Sequence, residues 1–113
     1  MPLVAAEDGN LLTLFVDGAI DSGLGGELLA TTSQAVAGGK RRVLVNLQKA
    51  KQANSAGLEA LVRTATTVTA ASGRFALVGP PPVLCDVLKA TRLDKRFAVF
   101  ESTEQAIAGL RRE

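Results

Sequence analysis

The apolar positions change period along the chain, and those changes mark out its elements. Leu3, Val4 and Ala5 form a short apolar piece before Glu7-Asp8-Gly9-Asn10, a turn signal of the hairpin kind. Leu12, Leu14 and Val16 then alternate with Thr13, Phe15 and Asp17, so 11–16 reads as a strand and the pair as an N-terminal β-hairpin. Residues 18–22 end it, and Asp21 or Ser22 caps a first helix whose face is Leu24, Leu28, Thr32, Ala35 and Val36. Gly38-Gly39 stops that helix, and the basic run Lys40-Arg41-Arg42 follows. Val43-Leu44-Val45-Asn46-Leu47 is an apolar run with one polar interruption, the pattern of a strand buried on both faces. The next stretch, Lys49-Ala50-Lys51-Gln52-Ala53, reads as a basic loop. Leu58, Leu61, Val62, Ala65 and Val68 restore the helical period, so a second helix is expected over 56–72. Asn54 and Ser55, both strong N-cap residues, stand at its start, and Gly73 is expected as its C′ glycine.

Phe75-Ala76-Leu77-Val78 reads as a further buried strand, closed by Gly79-Pro80-Pro81-Pro82. Prolines block helix propagation from behind but suit a first helical turn, and Val83, Leu84, Val87 and Leu88 give the helix that follows its apolar face. Phe97-Ala98-Val99-Phe100 is the last strand. Ser102-Thr103-Glu104-Gln105 then has the capping-box pattern and opens a final helix with Ala106, Ile107 and Leu110 inward. The order β-β-α-β-α-β-α-β-α makes residues 1–113 a single α/β domain. Crossover helices require a mostly parallel sheet, here with the hairpin strand at one edge and about four helices. In open α/β sheets, ligands and partners meet the carboxyl ends of the strands, where 17–22, 46–57 and 79–82 fall. Asp21 is expected there beside Asn46.

Composition removes several functions. The chain has one cysteine, Cys85, and no histidine, so a zinc site, a Ser-His-Asp triad or a Cys-His dyad cannot be assembled and no cofactor is implied. Cys85 reads as a packing residue, and a lone thiol fits a reducing, cytoplasmic setting. A net charge of +2 and basic clusters without interleaved aromatics argue against nucleic acid. No apolar run reaches the ~18 residues of a membrane span. Neither a Gly-x-Gly-x-x-Gly fingerprint nor a Walker-type loop is present, which counts against a small enzyme or nucleotide binder.

Taken together, the element order and the central stretch resemble a STAS domain, the fold of anti-sigma factor antagonists. In that family a strand ends in Asp-Leu-Ser and a loop leads to Asp-Ser-Ser-Gly-Leu at the start of the second helix. The corresponding residues are Asn46-Leu47-Gln48 and Asn54-Ser55-Ala56-Gly57-Leu58. Gly18-Ala19-Ile20-Asp21 matches an earlier family pattern, and Phe97 to Leu110 looks like the family's ending.

The resemblance implies a non-enzymatic regulatory module that binds an anti-sigma factor with serine-kinase activity. Carried over by position, the phosphoacceptor is Ser55, and the partner surface comprises Asp21, Asn46, Lys49, Lys51, Asn54, Ala56 and Gly57. A phosphate at a helix start meets free backbone N–H groups and the positive end of the helix dipole. Both family acids are amides here, Asn46 and Asn54, and the second serine is Ala56. Those replacements favour the rival reading, an unphosphorylated STAS subunit of a transport or signalling complex. The hairpin's edge strand offers a route to a homodimer.

Overall fold

The computed structural model describes residues 3–111. Ten elements follow one another: β1 (Leu3–Asp8), β2 (Leu11–Ile20), α1 (Ser22–Ala37), β3 (Arg42–Ala53), α2 (Ser55–Ala70), β4 (Arg74–Val78), α3 (Pro82–Ala90), a short 3₁₀ turn (Leu93–Lys95), β5 (Ala98–Phe100) and α4 (Thr103–Arg111). The strands form one five-stranded sheet in sequence order, β1-β2-β3-β4-β5. β1 pairs antiparallel with β2, and the remaining neighbours are parallel. This is the expected mixed α/β architecture, with the hairpin strand β1 at one edge.

Side-chain alternation divides the residues of the sheet between two cores. Leu12, Leu14 and Val16 of β2, with Val43, Val45 and Leu47 of β3, face α1, α2 and α3 and make the larger one. Leu44, Ala76 and Val78 point the other way, against Ala106 and Leu110 of α4. Among the described residues only α4 covers that second face, and it lies over β3, β4 and β5. The apolar run 43–47 is thus buried on both sides because helices lie on both sides of β3.

Two expectations about β3 and α2 need correction. The stretch 49–53 is strand, because Lys49, Ala50, Gln52 and Ala53 pair with Asp17, Gly18, Ala19 and Ile20. β2 and β3 therefore both run past the end of β4, whose last residue Val78 pairs with Asn46. Beyond that level β3 has a neighbour on one side only, and Lys49, Lys51 and Gln52 are exposed around the buried Ala50, so its sequence looks like a loop. Two register shifts, between Phe15 and Asp17 and between Gly18 and Ala19, also break the alternation that would have revealed it.

At the end of α2 the left-handed residue is Ser72, with φ of 64°, and not Gly73. Ser72 N donates to Thr69 O at 3.0 Å and Gly73 N to Val68 O at 2.9 Å, the paired bonds of a Schellman ending with serine at C′. Gly73 is needed for space: a Cβ there would stand 2.6 Å from Arg41 O.

The remaining boundaries fall close to expectation. α3 starts on Pro82, as a proline-first helix should. The capping box of α4 is half made: Gln105 N donates to Ser102 Oγ at 3.2 Å.

Candidate functional site

The starts of α1 and α2 are built alike and lie side by side. Asp21 caps α1, its Oδ1 accepting from Leu24 N at 2.9 Å. Asn54 caps α2, its Oδ1 accepting from Gly57 N at 2.8 Å. An amide replaces the family carboxylate at Asn54 without loss of the cap, since the capping atom is an oxygen in both. Ser55 is the first residue of α2 and is exposed, as are Asn54 and Ala56. Its hydroxyl therefore stands in solvent at a helix start, where the first backbone N–H groups have no partner within the helix.

Gly57 holds this end of α2 against the sheet. A Cβ on it would stand 1.9 Å from Ile20 O, so only glycine lets the helix start settle on the end of β2. Asn54 N donates to the same carbonyl at 3.2 Å. The small size of Gly57 thus serves contact within the chain, and Gly57 is buried. Its neighbours Ala56 and Ser55 carry the exposed surface. Gly25 does for α1 what Gly57 does for β2: a Cβ on it would meet Ala60 Cβ at 2.5 Å. The two helix starts flank a shallow groove of ≈ 230 Å³ lined by Ser22, Ala56, Glu59 and Arg63, among others. Glu59 and Arg63 form an exposed ion pair at 2.9 Å on its wall.

Ser22 is the residue that sequence reasoning treated only as an alternative cap. It follows Asp21 as Ser55 follows Asn54, and that repeated order of cap then serine was the signal available. The structure places it on the same groove as Ala56.

Asn46 and Lys49 stand elsewhere. Asn46 pairs with Phe15 and Val78, well before the strand ends, whereas Ile20, the neighbour of Asp21, pairs with Ala53. Asn46 is thus not beside Asp21. It lies on the α4 face of the sheet, in alternation with the core residues Val45 and Leu47, and α2 packs on the other face. Its Oδ1 accepts from Gln48 N at 3.0 Å. Lys49 lines a groove with Asn46 on that face. Lys51 is exposed at the second register shift. Of the expected surface, the structure gathers Asp21, Asn54, Ser55, Ala56 and Gly57 at one helix pair, and sends Asn46 and Lys49 to the opposite face.

A five-stranded mixed sheet with a leading hairpin, three helices on one face and an Asn54-capped second helix that begins at an exposed Ser55 defines a small α/β fold. The STAS domain family model matches residues 2–106, and the chain belongs to that family. No curated protein matches it in sequence. Among solved structures it is similar to an anti-sigma factor antagonist from Mycobacterium paratuberculosis, at 22% identity over 97% of this chain and 93% of that one, with a TM-score of 0.83. The Bacillus cell fate determinant SpoIIAA in its phosphorylated form is similar at 19% identity over 96% and 99% of the two chains, TM-score 0.76. A sulfate transporter family protein from Wolinella succinogenes is similar at 13% identity over 93% and 88%, TM-score 0.81. At these identities the likeness is one of fold. Among the described residues no helix is long and apolar enough to cross a membrane.

Proposed function

We propose that this STAS domain is an anti-sigma factor antagonist that binds a serine-kinase anti-sigma factor through the paired starts of α1 and α2, and that phosphorylation of Ser55 opposes the binding. The observation that carries this is the exposed hydroxyl of Ser55 at the first position of a helix whose cap is intact. The kinase would transfer the γ-phosphoryl group of ATP to Ser55 Oγ, with ADP leaving and the hydroxyl proton passing to the kinase's base or to solvent. The added group carries about −1.5 to −2 charges. The unpaired N–H groups and dipole of α2 favour it in the free protein, while a partner covering the groove would have to desolvate it. The same groove, lined by Ser22 and Ala56, is where that partner would sit.

The test is incubation of the protein with ATP and a lysate of the cells that express it, followed by mapping of phosphate by mass spectrometry. Phosphate on Ser55, absent from the Ser55→Ala protein, is expected. An unmodified Ser55 in a lysate that does phosphorylate a related antagonist would overturn the reading. A second reading is that of an unphosphorylated subunit of a transport or signalling assembly. The amides Asn46 and Asn54 and the similarity to the Wolinella protein favour it. Stable co-purification with a transporter subunit or scaffold, in place of a kinase, would identify that case.

A further inference from the structure

α4 covers β3, β4 and β5 but leaves the β1–β2 half of its sheet face bare. One transverse row of paired residues crosses the boundary: Val4 with Phe15, Phe15 with Asn46, Asn46 with Val78. Exposure along that row falls from 51% at Val4 and 42% at Phe15 to 7% at Asn46 and 0% at Val78. Large apolar side chains in solvent thus lead directly to a buried amide. The space above them is a groove of ≈ 390 Å³, lined by Val4, Phe15, Val16, Asn46, Gln48 and Lys49. That volume is within the ~300–1,000 Å³ of small-molecule sites.

The polar end of the groove is built from donors. Asn46 Oδ1 is held by Gln48 N at 3.0 Å, which fixes the orientation of the carboxamide and leaves Nδ2 to donate. Among the described residues, nothing accepts from Nδ2. The register shift after Phe15 puts an extra residue into β3, and it brings Lys49 to the same groove as Asn46. Lys49 has no ion pair among the described residues, although Asp17 is its register partner across the strand. Asp17 is not part of the lining. An apolar floor ending in one unpaired amide N–H group and one ammonium is complementary to a ligand with a hydrocarbon body and an anionic oxygen head.

We propose that this groove binds a small amphiphilic carboxylate, its hydrocarbon chain on Val4 and Phe15 and its carboxylate on Asn46 Nδ2 and Lys49 Nζ. The site is on the opposite sheet face from Ser55, so it stands whether or not Ser55 is a phosphoacceptor.

The experiment is a titration of the ¹⁵N-labelled full chain with sodium decanoate below its micelle threshold, followed by NMR. Saturable shifts confined to Val4, Phe15, Lys49 and the side-chain amide of Asn46 are expected. Asn46→Asp and Lys49→Glu should each weaken binding about tenfold, one charge-assisted hydrogen bond's worth. Asn46→Asp keeps an oxygen to accept from Gln48 N and so preserves the local fold, and the dispersed NMR spectrum of each variant verifies folding directly. Decylamine, with the same chain and opposite charge, should give no saturable shifts. Shifts scattered over the surface, equal binding of decylamine, or affinity unchanged in both variants would each overturn the proposal.

Discussion

Thr32 and Thr64 are both fully buried threonines in packed helices, yet their hydroxyls fare differently. Thr64 Oγ1 donates to Ala60 O at 2.7 Å, as the hydroxyls of Thr66, Thr67 and Thr69 donate to the carbonyl one turn back. Thr32 Oγ1 has no partner among the described residues. A buried hydroxyl without a partner forfeits its hydration and gains nothing in return, at a cost of about 1–3 kcal/mol. Thr32→Val keeps the branched shape and removes the orphaned oxygen, so it should stabilise the domain by about 1 kcal/mol. Thr64→Val loses a made bond and should be neutral or destabilising by about 1 kcal/mol. Urea unfolding separates the two: the midpoint should rise for Thr32→Val at an unchanged slope, and fall or stay for Thr64→Val. A lower midpoint for Thr32→Val would mean that its hydroxyl has a partner in solution.

At the scale of elements, the end of α2 carries an avoidable strain. Ser72 occupies the left-handed region at φ 64°, which costs a residue with a Cβ about 1–2 kcal/mol. Ser72→Gly should relieve that strain and, after the greater freedom of glycine in the unfolded chain, still add about 0.5 kcal/mol of stability. Gly73→Ala should cost about 2 kcal/mol, since its Cβ would crowd Arg41 O. Thermal melting of both variants checks the pair, and a loss of stability in Ser72→Gly would contradict the cap described. The sequence placed a glycine signal one residue from the left-handed position because Gly73 answers a tertiary demand, the approach of Arg41, which local chemistry does not display. What local chemistry does display was legible: the caps Asp21 and Asn54, the proline start of α3 and the two-sided burial of 43–47. The strand 48–53 was not, because a run paired on one side carries the polar residues of a loop, and its register shifts erase the period of two. The face taken by Asn46 and Lys49 was hidden for the same reason, since it depends on where a shift falls in the pairing with β2.

Over the whole molecule, the two faces of the sheet keep their tasks apart. α1, α2 and α3 fill one face and bring Ser22 and Ala56 to a shared groove, with Ser55 exposed at the start of α2 next to Ala56. α4 half-covers the other and leaves Phe15 and Val4 in solvent beside Asn46. A change at Ser55 should therefore act on binding without passing through the fold. Ser55 is exposed, and the bonds that seat α2 belong to its neighbours: Asn54 N to Ile20 O, and Gly57 N to Asn54 Oδ1. Ser55→Glu places a negative charge at the first position of α2, where the helix dipole favours it by about 0.3–1 kcal/mol. Its melting temperature should equal or slightly exceed that of the native protein. If the proposed partner covers this helix start, the same charge must be desolvated on binding, and affinity for the anti-sigma factor should fall at least about tenfold, or about 1.4 kcal/mol. Ser55→Ala should bind as the native protein does. Melting curves alongside binding isotherms for the two variants distinguish the cases. Weaker binding with unchanged melting would place the partner on Ser55, whereas native affinity in Ser55→Glu would move the interface away from the start of α2.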